Sequence, residues 1–366
     1  MSTLAVSAGE ASGDLHAARV VEALRALAPD VRVWAVGGSR LWRAGAEIVF
    51  PAERLSGMGL WEAAGRVPAL FRARAAVLRR FRTDPPDVFV PVDFGGFNLG
   101  LADRARRLGI PVVYFIPPKV WAWGAHRVRR LRRAVTQALV ILPFEQPFLR
   151  DRGVRAVYVG SPVADHVGSR RWKPQPGTVG LLPGSRRGEV ERIWPVLAEA
   201  AARLGRGRSL RFLVGLAEGV DPAWLEPAAR RFGLEVGFRN DALEVMERSQ
   251  VVLAASGTAT LECALVGAPM VVVYRLNPVT YAVGRRIVRV PFISLPNLIA
   301  GEEVVPELVQ RPAEEVARAA EPLLEPGPPR NRMLRGLDRV REAVGRPGAS
   351  ERAARHILLH LRGGVP

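Results

Sequence analysis

Short apolar segments alternate with helical segments along nearly the whole chain, and this alternation restricts the fold more than any other feature of the sequence. Thr3–Ser7, Val88–Val92 and Val251–Ala254 are each followed by small or polar residues and then by apolar residues at helical spacing. Repeated units of one strand and one helix build parallel sheets with helices on both faces. We therefore predict an α/β fold with doubly wound parallel sheets.

Two series of such units are present, which agrees with the length of 366 residues. The run from Gly160 to Gly177 is polar and rich in proline and glycine, and it separates the two series. We predict a Rossmann-like domain in residues 1–165 and a second one in residues 166–340. Residues 341–366 are predicted to form a helix that packs back on the first domain or on a partner subunit.

The second series begins with a strand, a glycine-containing loop and a helix between Val179 and Glu191. Apolar residues spaced by three, four or seven indicate the helix, and Pro195 is expected to kink it. A helix start presents free backbone N–H groups and a partial positive charge, which suit a phosphate group, and Arg186 and Arg187 lie at its mouth. The alternative is an ordinary strand-to-helix turn with solvated arginines, because an isolated glycine-rich loop is a weak signal.

A second loop of this kind lies in Ala255–Glu262, again between a strand and a helix. Ser256 or Thr258 is expected to cap the helix, whose start would hold a further phosphate oxygen. Glu262, about one turn into the helix, suits the diol of a ribose. A capping partner or an exposed helix charge is an equally good interpretation of this glutamate.

Small and polar residues gather after the strands of both series, and ligands of open α/β sheets bind at the carboxyl ends of strands. Two domains that face each other would enclose a cleft, and we predict the ligand site there. The segments concerned are Gly9–Ser12, Gly37-Gly38, Asp93–Asn98, Gly184–Arg186 and Ser256–Thr258.

The formal net charge of +18 favours anionic partners, which include nucleic acid, phosphorylated substrates and an anionic membrane surface. We find no nucleic-acid module and no zinc-ligand spacing, so we predict no nucleic-acid partner, no metal and no other cofactor. The single cysteine, Cys263, rules out an internal disulfide. Because we find no signal peptide and no apolar run long enough to span a bilayer, we predict a cytoplasmic protein.

Two basic segments predict peripheral contact with the inner face of the cytoplasmic membrane. Arginines lie among apolar residues between Arg66 and Arg82, and a second group lies between Arg127 and Arg133. Each basic residue near an anionic surface adds roughly 1 kcal/mol to binding. The alternative, equally good for the second group, is a helix that is solvated outside and packed inside.

Several unusual strings occur in a fixed order, and together they resemble the lipid-A-disaccharide synthase family, glycosyltransferases with two Rossmann-like domains (the GT-B type). The resemblance runs from Gly9 to about Gln310, and chance agreement at this density is negligible. Its carriers are Gly9-Glu-Ala-Ser-Gly-Asp14, Val36-Gly-Gly38, Ser56-Gly-Met-Gly-Leu60 with Glu62, Val120-Trp-Ala-Trp123, Leu142-Pro-Phe-Glu145, Leu182-Pro-Gly-Ser-Arg186 with Glu189, Ala255–Glu262, Ser294-Leu-Pro-Asn-Leu-Ile-Ala-Gly301 and Glu307-Leu-Val-Gln310.

The resemblance implies a hexosyltransferase that moves 2,3-diacylglucosamine from UDP to the 6-hydroxyl of 2,3-diacylglucosamine 1-phosphate, without a metal. It also implies a UDP-sugar site in the second domain, an acyl-sugar phosphate site in the first domain and a homodimer. The implied donor-side residues are Gly184, Ser185, Arg186, Ser256, Gly257, Thr258, Glu262, Asn297, Glu307 and Gln310. The implied acceptor-side residues are Ser12, Met58, Asn98, Trp121 and Trp123, and the two tryptophans are equally well interpreted as core residues.

The chain departs from the family pattern at the suspected catalytic base, which must remove the acceptor proton in an inverting displacement. The family pattern Asp-x-Pro-Asp-Phe-Asn is here Asp93-Phe-Gly-Gly-Phe-Asn98, so Gly96 stands at the position of the second aspartate. Asp93, Glu10 and His16 remain as candidates. We favour Glu10 and Asp93 together, because a histidine one turn into a helix more often packs or caps, although its pKa suits the role.

Two further departures lie on the acceptor and interdomain side. Gly160-Ser161-Pro162 stands where the family usually has Gly-His, and Pro117-Pro-Lys119 stands where it has Ser-Pro-Ser, whereas the donor motifs are intact. Two alternatives to the synthase therefore stay open. One is a UDP-sugar transferase or epimerase-like enzyme with a different acceptor, and the other is a non-catalytic relative that binds a UDP-sugar.

Overall fold

Parallel strands form two separate sheets in the computed structural model, which describes residues 2–55, 60–122, 127–277 and 290–364. The first of two compact units contains the chain up to Pro162 together with the chain from Arg346 onward. The second unit contains Val163–Gly345. Each unit has its own sheet, so each can position a ligand site of its own.

The sheet of the first unit has the strand order β3-β2-β1-β4-β5-β6-β7. Its strands are β1 (Thr3–Ala8), β2 (Arg32–Gly37), β3 (Glu47–Pro51), β4 (Val88–Val92), β5 (Val113–Phe115), β6 (Gln137–Val140) and β7 (Ala156–Tyr158). The helices between them are α1 (Ala11–Leu27), α2 (Ser39–Arg43), α3 (Leu60–Thr83), α4 (Gly95–Arg107), α5 (Val128–Ala134) and α6 (Glu145–Arg150).

A short helix, α7 (Pro162–Val167), comes before the sheet of the second unit, whose strand order is β10-β9-β8-β11-β12-β13. The strands are β8 (Thr178–Leu182), β9 (Arg211–Gly215), β10 (Val236–Arg239), β11 (Val251–Ala255), β12 (Met270–Tyr274) and β13 (Glu307–Val309). The helices are α8 (Arg187–Gly205), α9 (Glu226–Arg231), α10 (Ala242–Arg248), α11 (Thr258–Val266), α12 (Leu295–Ala300), α13 (Ala313–Leu324) and α14 (Pro328–Val344).

The last helix, α15 (Ala349–Leu361), belongs to the first unit and packs against α1. Leu24 of α1 and Ala353 and Ile357 of α15 are fully buried in one apolar cluster. The C-terminal segment therefore completes the core of the unit that contains the N-terminus. Within the described residues, no helix combines the length and the apolar character that crossing a bilayer requires.

Both sheets reverse their strand order at one point, between β1 and β4 in the first unit and between β8 and β11 in the second. Open α/β sheets bind ligands at such reversal points, in front of the carboxyl ends of the strands. Residues at the carboxyl ends of the paired strands lie side by side, Ala8 with Val92 and Leu182 with Ala254. The loops that follow these strands are therefore neighbours within each unit.

The predicted fold class is confirmed, because both sheets are parallel and carry helices in the predicted strand–helix order. The predicted apolar face of α8 is confirmed as well: Val190, Trp194 and Leu197 are buried, and the helix continues through Pro195. Pro68 favours a break because it lacks a backbone donor, yet it lies inside the single helix α3.

Candidate active site

Two loops of the second unit border its reversal point, at the carboxyl ends of β8 and β11. They are Gly184–Arg186 and Ser256–Thr258, which the sequence assigned to the donor side. Each loop leads directly into a helix, α8 or α11. Two helix N-termini, each with a partial positive charge, therefore lie at neighbouring positions on one sheet edge.

The loop after β8 is closed by a carboxylate from its own helix. The backbone N–H of Ser185 donates to Oε2 of Glu189 over 3.3 Å. Gly184 has a φ of +107°, and a Cβ on it would lie 2.4 Å from the same oxygen, so only glycine fits here. The expectation of free N–H groups was therefore wrong for Ser185, and an anion that binds this N–H must displace Glu189. Arg186 is the N-cap residue and is exposed.

The predicted cap of α11 was wrong. The N-cap residue is Gly257, which has no side chain, so the helix start has no side-chain cap from its N-cap residue. The Oγ of Ser256 instead donates to the carbonyl of Ile293 over 3.2 Å. Gly257 and Thr258 are both exposed, and a Cβ on Gly257 would meet no atom of the described residues within 4 Å. The start of α11 is therefore accessible to a ligand.

Glu262 of α11 is mostly buried, with 17% of its side chain exposed. Its Oε1 lies 3.9 Å from Nε2 of His166 on α7. Burial raises the pKa of Glu262, His166 lowers that pKa and the charge of Asp241 raises it. A carboxylate in this position can accept hydrogen bonds from vicinal hydroxyl groups. His166 was missed at the sequence level, since it lies far along the chain from Glu262 and in no motif.

Asn297 and Glu307 form the centre of a hydrogen-bond network. The Glu307 carboxylate accepts from the N–H groups of Ile293 and Ser294 over 2.8 and 2.9 Å, from Ser294 Oγ over 2.6 Å and from Asn297 Nδ2 over 2.8 Å. The fully buried Asn297 is also bonded to the backbone of residues 304–305. These two donor-side candidates therefore hold the segment whose Ile293 carbonyl receives the Ser256 hydroxyl.

Gln310, the last donor-side candidate, shapes the chain beyond β12. Its Nε2 donates to the carbonyl of Leu276 over 2.9 Å, and its N–H donates to the carbonyl of Tyr274 over 3.0 Å. Its φ of +57° lies in the left-handed region, which non-glycine residues rarely adopt. The amide of Gln310 thus supports a strained turn at the same sheet edge.

The two favoured catalytic carboxylates follow β1 and β4, the adjacent strands at the reversal point of the first unit. Glu10 is the exposed N-cap residue of α1, whereas Asp93 is partly buried. Phe94 lies against the first loop, because a Cβ on Gly9 would be 2.4 Å from Phe94 Cδ1. Both carboxylates are therefore presented from one sheet edge.

A buried asparagine holds the turn that carries Asp93. Asp93 and Phe94 have φ values of +47° and +50°, which are strained for non-glycine residues. Asn98 Nδ2 donates to the Asp93 carbonyl over 2.9 Å, and Tyr114 Oη donates to the same carbonyl over 2.8 Å. Ser7 Oγ donates to Asn98 Oδ1 over 2.7 Å. Asn98, a predicted acceptor-side residue, is thus fully buried and serves to fix the turn.

Gly96 is exposed in the first turn of α4, and a Cβ on it would have no atom of the described chain within 4 Å. The position of the absent family aspartate therefore has room for a side chain. The preceding Gly95 differs, because a Cβ there would lie 2.8 Å from Cγ of Pro118.

The last residue of the string Gly9-Glu-Ala-Ser-Gly-Asp14 joins the first helix to the loop after β2, a role that the sequence did not predict. The buried Asp14 accepts from the N–H groups of Gly38 and Arg40 over 2.7 and 3.0 Å. A Cβ on Gly38 would lie 2.9 Å from Asp14 Oδ2, which explains why the two strings occur together. Ser12 is exposed in the first turn of α1, and His16 is partly buried further along that helix.

Trp121 donates from Nε1 to Oε1 of Glu145 over 2.8 Å. Glu145 is buried and also accepts from the N–H groups of residues 141–142, and burial raises its pKa. Trp121 is therefore tied to the strand end by its indole nitrogen. The other two acceptor-side candidates, Met58 and Trp123, lie outside the described residues.

The sequence matches known proteins over nearly its full length. The family model of lipid-A-disaccharide synthetase (LpxB) matches residues 4–327. Lipid-A-disaccharide synthase of Myxococcus xanthus (strain DK1622) is 43% identical over 371 residues, which are 96% of this chain and 96% of that protein. The enzyme of the same name from Geobacter metallireducens is 38% identical over 367 residues, again 96% of each chain.

Solved structures resemble the fold at low sequence identity. Acinetobacter baumannii MurG matches with a TM-score of 0.63 at 14% identity, over 97% of this chain and 99% of that chain. The calicheamicin glycosyltransferase CalG4 matches with a TM-score of 0.63 at 17% identity over all of both chains. UDP-GlcNAc 2-epimerase from Neisseria meningitidis, bound to UDP-GlcNAc, matches with a TM-score of 0.61 at 12% identity over all of both chains. These likenesses establish the fold, two parallel-sheet α/β domains of the GT-B type.

Proposed function

The chain belongs to the lipid-A-disaccharide synthase family, and we propose that it catalyses the reaction of that family. It is a hexosyltransferase that moves 2,3-diacylglucosamine from UDP to the 6-hydroxyl of 2,3-diacylglucosamine 1-phosphate, with inversion at the anomeric carbon. The products are lipid A disaccharide phosphate and UDP. The main support is the 43% identity to a synthase over 96% of both chains. The epimerase-like alternative is not favoured, because that likeness rests on 12% identity and concerns the fold alone.

The UDP-sugar is assigned to the second unit, in front of β8 and β11. The loops Gly184–Arg186 and Ser256–Thr258 offer two helix starts and one exposed guanidinium to the diphosphate, once Glu189 is displaced from the Ser185 N–H. Glu262 is assigned to the ribose hydroxyls. Because negative charge grows on the leaving UDP during the reaction, Arg186 and the helix dipoles stabilise the transition state more than the ground state.

Asp93 is assigned as the general base that removes the proton of the acceptor hydroxyl. Its backbone is held by Asn98 and Tyr114, so its carboxylate has a fixed origin, which proton transfer in a near-attack geometry requires. Glu10, which extends from the adjacent strand end, is the second carboxylate of the site and is assigned to orienting the acceptor sugar. The proton passes to Asp93 as the acceptor oxygen forms its bond to the anomeric carbon and UDP leaves.

The acylated substrates reach the enzyme at a membrane surface, and two features of the first unit suit this contact. Val67 and Phe71 on α3 are 55% and 66% exposed, next to the exposed Arg72. An arginine-rich groove of about 620 Å³ lies between α4 and α5 and is lined by Arg106, Arg107, Arg129, Arg130 and Arg133 with Asp103. We therefore assign the protein to the cytoplasmic face of the membrane as a peripheral protein.

Sedimentation with anionic vesicles in low and high salt tests the membrane assignment. We expect binding at low salt that falls at high salt, and weaker binding for Phe71→Ser. Trp42→Ser is the matched control, because Trp42 is 65% exposed but lies on α2. Absence of binding at low salt would remove the assignment. The homodimer that the resemblance implies is tested separately, by analytical ultracentrifugation.

The catalytic proposal is tested by UDP release from UDP-2,3-diacylglucosamine, with and without 2,3-diacylglucosamine 1-phosphate. We expect release that depends on the acceptor, with a disaccharide phosphate detected by mass spectrometry. Equal release without the acceptor would mean that water takes the sugar, which would contradict transfer to the acyl-sugar phosphate. Binding of UDP-2,3-diacylglucosamine without any turnover would identify a non-catalytic relative.

A further inference from the structure

A cavity of about 610 Å³ lies in the first unit at the amino ends of β6 and β7, bounded by α15. The reversal-point loops lie at the carboxyl ends of the strands, so this cavity is at the opposite edge of the same sheet. None of the residues assigned above to glycosyl transfer lines this cavity. Its size is in the range of pockets that bind small molecules.

Basic side chains from three elements line this cavity. His356 and His360 lie one turn apart on α15, Arg150 ends α6 and Arg155 precedes β7. Gln137 of β6 adds an amide, and no carboxylate lines the cavity in the described part of the chain. A cation would be repelled by the two guanidinium groups, whereas an anion with several oxygens could be contacted from several sides.

The polar atoms of the cavity are only partly used within the protein. His360 Nε2 lies 3.0 Å from Gln137 Oε1, and Arg150 Nε donates to the carbonyl of Ala156 over 2.7 Å. The Nδ1 atom of His356 is buried, and it has no hydrogen-bond partner among the described residues. Buried polar atoms are normally paired, so the hydrogen bonding of this histidine is not completed within the described part of the protein.

The affinity of this cavity for anions depends on protonation of its two imidazoles. Burial lowers the pKa of His356, and burial, His356 and Arg155 together lower the pKa of His360. Both rings are therefore mainly neutral at neutral pH, while Arg150 and Arg155 stay charged. An anion in the cavity would favour the protonated imidazoles, so its binding must tighten as the pH falls.

We propose that this cavity is a second ligand site, which binds a phosphate-bearing anion between Arg155 and the histidine pair of α15. The ligand is a phosphomonoester, which belongs either to a soluble metabolite or to a lipid headgroup. This proposal does not depend on glycosyl transfer, so its test is independent of the proposed function.

Imidazole NMR of the full chain with sulfate tests this site. Sulfate is the first probe because its charge does not change where histidine titrates. The chain has five histidines, so the resonances of His356 and His360 can be assigned by substitution. We expect both to shift on saturation with sulfate, with a Kd about tenfold lower at about pH 5.5 than at about pH 7.5.

Two single substitutions with the same charge change separate a built site from general attraction to a basic protein. Arg155→Gln should weaken sulfate binding at the histidines by about tenfold or more, because it removes a lining guanidinium. Arg355→Gln is the control, because Arg355 is exposed on the same helix and does not line the cavity. Equal affinities of these two variants, or unshifted His356 and His360 resonances, would overturn the proposal.

The source of the phosphate group is distinguished by two further probes with the same readout. Glycerol 3-phosphate represents a soluble phosphomonoester, and vesicles of phosphatidic acid in phosphatidylcholine represent a lipid headgroup. Binding of either probe that is lost in Arg155→Gln supports the site and identifies its class of ligand. Failure of both probes to perturb the two histidines would contradict the phosphate assignment even if sulfate binds.

Discussion

Asn98 Nδ2 donates a hydrogen bond of 2.9 Å to the backbone carbonyl of Asp93, and this bond fixes the residue assigned as the catalytic base in a left-handed conformation. The same amide reaches the carbonyl of Ser7 on the adjacent strand over 3.0 Å. One buried side chain thus joins the two strand ends that carry Glu10 and Asp93. The position of the base therefore depends on the packing of the two strands as well as on the loop that contains Asp93.

Asn98→Ala should lower both stability and turnover. It removes a buried hub and leaves the Ser7 hydroxyl and strained Asp93 carbonyl without that partner, which costs about 1–3 kcal/mol for a buried group left unsatisfied. Urea unfolding measures the stability loss, and kcat should fall while the affinity for UDP in the other unit is retained. An unchanged kcat in folded Asn98→Ala would show that the turn does not need this support.

Asp93→Asn should reduce kcat by roughly 10² to 10⁴, because the amide cannot take the acceptor proton. Glu10→Gln keeps the shape of the second carboxylate and should mainly raise KM for the acceptor, with a smaller effect on kcat. Steady-state kinetics with varied acceptor distinguish the two. If Glu10→Gln loses more kcat than Asp93→Asn, the two roles are the reverse of those assigned here.

The strand–helix order and the loops at the carboxyl ends of strands could be predicted, because both depend on local periodicity and on small residues. Hydrogen bonds between distant positions could not. Glu307 is joined to Ser294, and Asn98 to Ser7, across gaps in sequence that carry no period. Side chains assigned to substrate by resemblance therefore proved to be used within the protein.

The same limit applies to the two helix starts of the donor loops. A helix start after a glycine loop is visible in the sequence, but whether its N–H groups are free depends on which way a nearby side chain turns. Glu189 turns back onto Ser185, whereas α11 begins at Gly257, which has no side chain to cap it. Local pattern places the loop, and only the fold shows which of its donors is occupied.

Gly96→Asp restores the aspartate of the family pattern at a position with open space around the new side chain. The variant should fold, and an acidic residue in the first turn of α4 should add about 0.3–1 kcal/mol to stability. Because Asp93 is assigned as the base, kcat should change by less than about tenfold. A gain far beyond that, measured with saturating substrates, would show that the missing carboxylate limits the rate and that Asp93 is not the main base.

Arg186→Ala should weaken UDP binding by about tenfold or more, because a hydrogen bond to a charged group contributes about 1.5–3 kcal/mol. Arg187→Ala is the matched control, since Arg187 is paired with Glu191 over 2.9 Å and its guanidinium lies 5.2 Å from the ring centre of Trp224. Isothermal titration calorimetry with UDP measures both. Equal losses in the two variants would indicate general charge attraction instead of a diphosphate contact by Arg186.

Glu262 should make UDP affinity depend on pH in the acidic range. Burial raises its pKa, so Glu262 takes up a proton at a higher pH than an ordinary glutamate and then loses acceptor capacity for the ribose hydroxyls. UDP affinity should therefore fall as the pH decreases through this raised pKa. Glu262→Gln should lack that step, and the ratio of wild-type to variant affinity cancels the titration of UDP itself.

His166→Gln tests this assignment in the opposite direction, because His166 lies 3.9 Å from the Glu262 carboxylate and lowers its pKa. Removing the imidazole should raise the pKa of Glu262, so the loss of UDP affinity should begin at a higher pH than in the wild type. A midpoint that moves to lower pH, or that stays in place, would mean that the titration seen in UDP binding belongs to another group. Because the two substitutions act on one carboxylate in different ways, their pH profiles separate a ribose contact by Glu262 from a general effect of charge in the second unit.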